Sequence, residues 1–162
     1  MARPSGALLL GLWLLASCVP DGLAFIQDER VEIVEPESHT TVTLPVTIRW
    51  TLDAQATPGA GPASFGVFLD RAPVPPGRSL AWIARDDQRC LATDGCPDRT
   101  YFADRGVYET TNTSLTLEQL RDLDAFRGRE THEATIILLD ARGRRIGESA
   151  WHTTFFFERD EI

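Results

Sequence analysis

Imidazole chemistry in this chain would have to come from three histidines, His39, His132 and His152. A zinc site needs three or four converging ligands. His132-Glu133 opens like H-E-x-x-H, but Ile136 stands where the second histidine must be. The three histidines are therefore read as solvated or rim side chains, with His132 just ahead of a strand. Ser149, in Gly147-Glu148-Ser149-Ala150-Trp151, lacks the last glycine of a nucleophile elbow and lies in a strand-like run. Carboxylates crowd one stretch, as Asp86, Asp87, Asp94, Asp98 and Asp104. Such oxygens on an irregular loop suit calcium, for which Asp94 and Asp98 are the candidates, but the spacing and closing Glu of an EF-hand are missing. No nucleophile–base pair is visible, so the expectation is a protein that is not an enzyme and uses no cofactor.

Cysteine arithmetic is more informative. Cys90 and Cys96 sit close together in the acidic stretch, and Cys18 stands alone near the N-terminus. In an exported chain Cys90 and Cys96 are expected to pair. Their bridge would hold residues 86–105 without a core of their own.

The elements that must carry these groups read as strands. Val31 and Ile33 alternate with Glu32 and Val34 over 30–34, an edge-type strand that Pro36 ends. From Val42 to Leu52 every even position is apolar, a period-2 pattern with one buried face. Pro45 interrupts that run and cannot donate to a ladder, which predicts a bend or a switch between sheets. Strands are predicted over 64–70 and 79–84, with shorter ones over 106–111 and 113–115. Residues 133–140 are apolar on both faces and read as a central strand covered on both sides. Asp140-Ala141-Arg142-Gly143 supplies a tight turn into a last strand over 146–158. Thr116 and Gln119 fit a capping box, and Leu117, Leu120 and Leu123 have helical spacing, so a short helix is predicted near 117–124. The core should come from strands 42–52, 64–69, 133–140 and 146–157, with Trp50 buried. These strands resemble an immunoglobulin-like or fibronectin-like domain over residues 30–158. The resemblance implies an all-β fold, a single antiparallel β-sandwich, without the inter-sheet cystine of antibody domains.

Composition limits the partners. The 162 residues carry a net charge of −8, and an acidic domain repels nucleic acid and anionic lipid. All 16 basic residues are arginine. Asn112-Thr113-Ser114 matches a glycosylation sequon.

The N-terminal stretch sets the address. Arg3 is followed by an apolar run, Ala7 to Ala16, that matches a secretory h-region and is too short to span a bilayer. It leads into Leu15-Ala16-Ser17-Cys18, which resembles the lipobox of bacterial lipoproteins. The resemblance implies a signal peptide over 1–17, a diacylglycerol thioether on Cys18, usually a further N-acyl chain such as palmitate, and a tether over 18–29. Two or more chains hold a protein at a bilayer. Val19 favours the outer membrane or cell surface of a bacterium. Lipidation also accounts for the cysteine left over by a Cys90–Cys96 pair. The competing reading is ordinary cleavage after Ala24, giving a soluble secreted protein that begins at Phe25. The chain is thus expected to be a lipid-anchored envelope module over 30–162. Its expected partners are the membrane, through the anchor, and an envelope protein, and a calcium-binding envelope protein is the alternative.

Overall fold

The structure, a computed structural model, describes residues 30–53, 61–120 and 129–158. The signal, Cys18 and the tether lie outside these residues. Eight strands form two sheets: β1 (Val31–Glu35), β2 (Thr41–Val42), β3 (Val46–Leu52), β4 (Ser64–Leu69), β5 (Val107–Thr110), β6 (Ser114–Leu117), β7 (Arg129–Leu139) and β8 (Trp151–Glu158). The orders are β1-β3-β6 and β2-β8-β7-β4-β5. All pairings are antiparallel except β2 with β8. Read as A-B-E against A′-G-F-C-C′, this is the strand order of an immunoglobulin-like sandwich. The chain switches sheets between β2 and β3, at Pro45, as a proline that cannot join a ladder dictates.

Between the sheets the alternating faces meet. Val46, Ile48 and Trp50 of β3 pack with Phe65, Val67 and Leu69 of β4 and with Ala134, Ile136 and Leu138 of β7. Trp50 is 1 % exposed and meets Phe65 edge-on at 5.2 Å across the sandwich. A second apolar cluster covers the outer face of the larger sheet. Phe68, Ile137 and Leu139 are sealed there by Val74 and Leu80, both supplied by the long connection between β4 and β5. This connection is why β4 is buried at every position.

Four expected elements differ. Residues 80–84 form a 3₁₀ turn rather than a strand, closed by Trp82 N–H donating to the Ser79 carbonyl. Only Ser79 makes a bridge, to Arg144, so the alternation there had no ladder to join. The predicted helix near 117–124 does not begin at its capping box. Leu117 ends β6 opposite Val46, and Thr116 faces Thr47 with hydroxyls 3.0 Å apart. Residues 118–120 are not helical, and 121–124 lie outside the described residues. The ladder and the burial of Leu117 outweigh a local capping preference. The last strand starts at Trp151 rather than at 146. The Arg145 guanidinium takes the carbonyls of Glu148 and Ser149, and those groups are then lost to a ladder. Finally, β7 begins four residues early, at Arg129, because β8 is long enough to pair with it down to Glu158.

Two poles follow from the connectivity. Arg30 precedes β1, its carbonyl accepts from Asp53 N–H, and its guanidinium lies 5.6 Å from the Trp151 ring. The Asp140–Arg144 turn shares this near pole, since Ser64 at the start of β4 pairs with Leu139. Strand β4 then runs away from it for six residues, about 20 Å, to Asp70 at the far pole.

Candidate functional site

The far pole gathers the polar side chains that the sequence scattered. Asp70 follows β4 with φ 54°, a left-handed conformation that aspartate tolerates better than most residues. There its backbone N–H donates to the Glu133 carbonyl, and its Oδ1 accepts from Glu133 N–H at 2.8 Å. Its Oδ2 lies 2.8 Å from His132 Nδ1. His132 continues the inward series of Ala134, Ile136 and Leu138 by one step, is 3 % exposed, and stacks on Phe155 at 5.7 Å. Its Nε2 lies 3.6 Å from Glu130 Oε2, an ion-pair distance. The hydrogen bond that Nδ1–H donates to Asp70 raises the His132 pKa above its ordinary value against the opposing effect of burial, and the charges of Asp70 and Glu130 raise it further.

His132 is therefore not the rim histidine expected from the sequence. It closes the bottom of the inter-sheet core as half of a buried pair. The signal was the alternation itself, since stepping back by two from Ala134 gives His132 and then Glu130. Polar residues over 129–133 hid the start of the strand.

From Asp70 the chain departs on a long excursion, residues 71–106, that forms a lobe against the larger sheet. It carries α1 (Gln88–Leu91) and α2 (Arg99–Ala103) in the stretch read as irregular. The aspartates explain both helices. Asp87 caps α1 by accepting from the N–H groups of Arg89 and Cys90, and Asp98 caps α2 by accepting from Tyr101 N–H at 2.7 Å. Cys90 and Cys96 form a disulfide across the loop between the helices. Asp87 Oδ2 also accepts from the Tyr101 hydroxyl and from Arg105, each at 3.0 Å, and this ties the two helices together. The N–H of Cys90, then the Tyr101 hydroxyl, holds the Asp87 carboxyl below the usual range. Arg71 donates to the Arg105 carbonyl, which fixes the lobe to the far pole beside Asp70.

The excursion returns through Gly106, whose φ is +65° and where a Cβ would meet the Leu69 carbonyl at 2.7 Å. Only glycine closes the lobe at this point. At the other end of the lobe, buried Arg145 donates to the Val74 carbonyl at 2.7 Å, stapling the excursion to the β7–β8 connection. Burial lowers the Arg145 pKa, with the Glu148 charge opposing it.

The remaining sequence candidates do not converge. His39 lies in an exposed turn, His152 is exposed on β8, and the Ser149 carbonyl serves Arg145. Of the calcium candidates, Asp98 is spent as a helix cap. Among the described residues no group of three His, Cys, Asp or Glu side chains is placed to hold a metal.

Clefts border the lobe, among them one of about 350 Å³ between α1 and α2 beside Asp87, Cys90 and Tyr101. Another of about 200 Å³ lies beside Asp70, Arg71, Arg105 and Tyr108. A larger one, about 500 Å³, runs between α2 and the edge strands β5 and β6, lined by Phe102, Val107 and Leu115 with Arg99 and Glu109. The chain matches no family model, no curated protein and no solved structure. What the site can do is thus argued from its own residues. A buried His–Asp pair orders the fold, and an exposed lobe on a rigid sheet suits recognition.

Proposed function

We propose that this protein is a lipid-anchored component of a bacterial cell envelope, a non-catalytic binding or scaffold module that holds its cystine lobe out for a partner. Cys18 of Leu15-Ala16-Ser17-Cys18 carries the lipid, and residues 18–29 form the tether. The observation that carries the reading is the place of the lobe. Its cystine part, α1 and α2, is rooted at the far pole through Arg105, whose carbonyl accepts from Arg71 and whose guanidinium donates to Asp87, away from Arg30, where the tether would join the domain. An anchored domain with this layout keeps that part clear of the bilayer. Leu91, the most exposed large apolar side chain among the described residues at 56 %, lies on α1 of that lobe.

Deleting the lobe would uncover Phe68, Ile137 and Leu139, so a surface substitution is the better test. Leu91→Asp should leave folding intact and abolish chemical cross-linking to an envelope protein in intact cells. Cross-links unchanged by Leu91→Asp, and by Arg99→Glu at the larger cleft, would contradict a recognition role for the lobe.

A further inference from the structure

Strands β1, β6, β2 and β5 end the two sheets. An edge strand presents unpaired N–H and C=O groups, a template for a further strand. β1 is bulged between Ile33 and Glu35, and β2 has only two residues. β5 borders the cleft of about 500 Å³, and its free side can be phased residue by residue. Leu69 N–H donates to the Gly106 carbonyl at 2.7 Å, so these two residues form a hydrogen-bonded pair. Val67 lies opposite Tyr108 and Phe65 opposite Thr110 in the same register. The alternation of an antiparallel ladder therefore turns the backbone groups of Gly106, Tyr108 and Thr110 toward β4. Those of Val107 and Glu109 point the other way, to the open edge. Three charged side chains line the cleft there: Asp98, Arg99 and Glu109. Asp98 caps α2. Arg99 is exposed and makes no ion pair among the described residues. Glu109 is also exposed and accepts from the Ser64 hydroxyl at 2.7 Å, but meets no cation among the described residues.

We infer that two copies of this chain pair through β5, antiparallel about a two-fold axis at Tyr108, and so join their larger sheets edge to edge. The pattern is self-complementary, as a two-fold contact requires. The outward backbone groups belong to residues 107 and 109, so an axis through 108 sets Val107 of each copy against Glu109 of the other. Each such pair exchanges both of its N–H···O bonds. The same register keeps the two Glu109 carboxylates from lying directly opposite each other, where like charges destabilise a ladder. Glu109 of the second copy enters beside Val107, which packs with Phe102 of α2. That helix carries Arg99, so each copy brings to the seam the cation and the carboxylate that lack an ion partner within one chain. Chains of net charge −8 repel at long range. At about 0.15 M salt the Debye length is about 8 Å, and the short contacts decide. The pairing goes beyond the reading above and stands without the lipid anchor.

The test uses the mature protein in detergent solution, which accommodates an anchor. Tyr108 facing its own copy is a non-hydrogen-bonded pair, with Cα atoms about 4.5 Å apart and within disulfide reach. Under mild oxidation Tyr108→Cys should therefore give a disulfide-linked dimer on a non-reducing gel. Glu109→Cys should not, because its two copies lie two residues out of register, roughly 9 Å apart. Tyr108 packs against the core, so sedimentation equilibrium of variants that leave it in place reads the same contact independently. The wild type should be a dimer. Arg99→Glu and Glu109→Arg should each raise the dissociation constant about tenfold, since the two-fold axis breaks both ion pairs at once. The double variant Arg99→Glu/Glu109→Arg should recover the wild-type value. A monomeric wild type, trapping at Glu109→Cys but not at Tyr108→Cys, or a double variant no tighter than the single ones would overturn the pairing and leave the anchored reading as it stands. Trapping of Tyr108→Cys with a different protein from an envelope extract would give the cleft to a foreign strand and overturn it as well.

Discussion

His132 shows how one residue's environment sets its charge. Enclosed by Asp70 and Glu130, it gains more from its partners than burial takes away, and its pKa rises. A raised folded-state value means that its stabilising contribution is complete below the unfolded value of about 6.5 and is lost as pH rises through the folded value. Denaturant unfolding of the wild type should therefore show stability falling on the alkaline side of about pH 6.5, and His132→Gln should remove that slope. Asp70→Asn is more discriminating. Asparagine tolerates the left-handed backbone and can still accept a hydrogen bond, but it brings no charge. An NMR titration should find the His132 pKa lowered in this variant, and an unchanged value would show that Asp70 does not govern it. Asp70→Ala removes the cap on Glu133 N–H as well and should cost about 3 kcal/mol, as breaking a buried pair does.

Strands with strict period 2 were legible because burial on one face forces it. Trp50 is the clearest instance, and Trp50→Ala should cost about 3–5 kcal/mol in urea unfolding; less than about 1 kcal/mol would mean that its pocket collapses without penalty. The sheet switch at Pro45, the Asp140–Gly143 turn and the pairing of Cys90 with Cys96 were readable for similarly local reasons. What was not readable depended on distant partners. Leu80 and Trp82 alternate with Ala81 and Ile83 like a strand, yet Leu80, Trp82 and Ile83 all pack on the Phe68 cluster, which a 3₁₀ turn allows and a strand does not. The capping box at Thr116 lost to the ladder with β3. Asp98 looked like a candidate metal ligand, and Asp87 like one more of an acidic crowd, because a helix of four or five residues leaves too short a period to see; the role of both is capping. Since Asp87, Tyr101 and Arg105 bind the two helices independently of the disulfide, Cys90→Ala/Cys96→Ala should cost about 2 kcal/mol. Hydrogen exchange should then quicken over 88–96 but not at Phe68 or Ile137. Gly106→Ala should do the reverse, destabilising the lobe's attachment by more than about 1 kcal/mol because its backbone is left-handed and its Cβ meets a carbonyl.

At the scale of the whole molecule the account is one of polarity along an axis. The proposed tether would join at Arg30 beside the Asp140–Arg144 turn of the near pole, and α1 and α2 are rooted at the other end, next to the buried His132–Asp70 pair. A lipid on Cys18 would give that axis a direction. Cys18→Ser removes the sulfur that would take the thioether, so the variant should fail to label with a fatty-acid analogue and should remain a precursor or be cut after Ala24. Its domain should fold unchanged, because the cores among the described residues use nothing before Val31. The most direct measurement is the N-terminal mass of the mature wild-type protein. The account predicts a chain beginning at Cys18 with a diacylglycerol thioether and an added acyl group. A mass beginning at an unmodified Phe25 would contradict it and make the protein soluble and secreted.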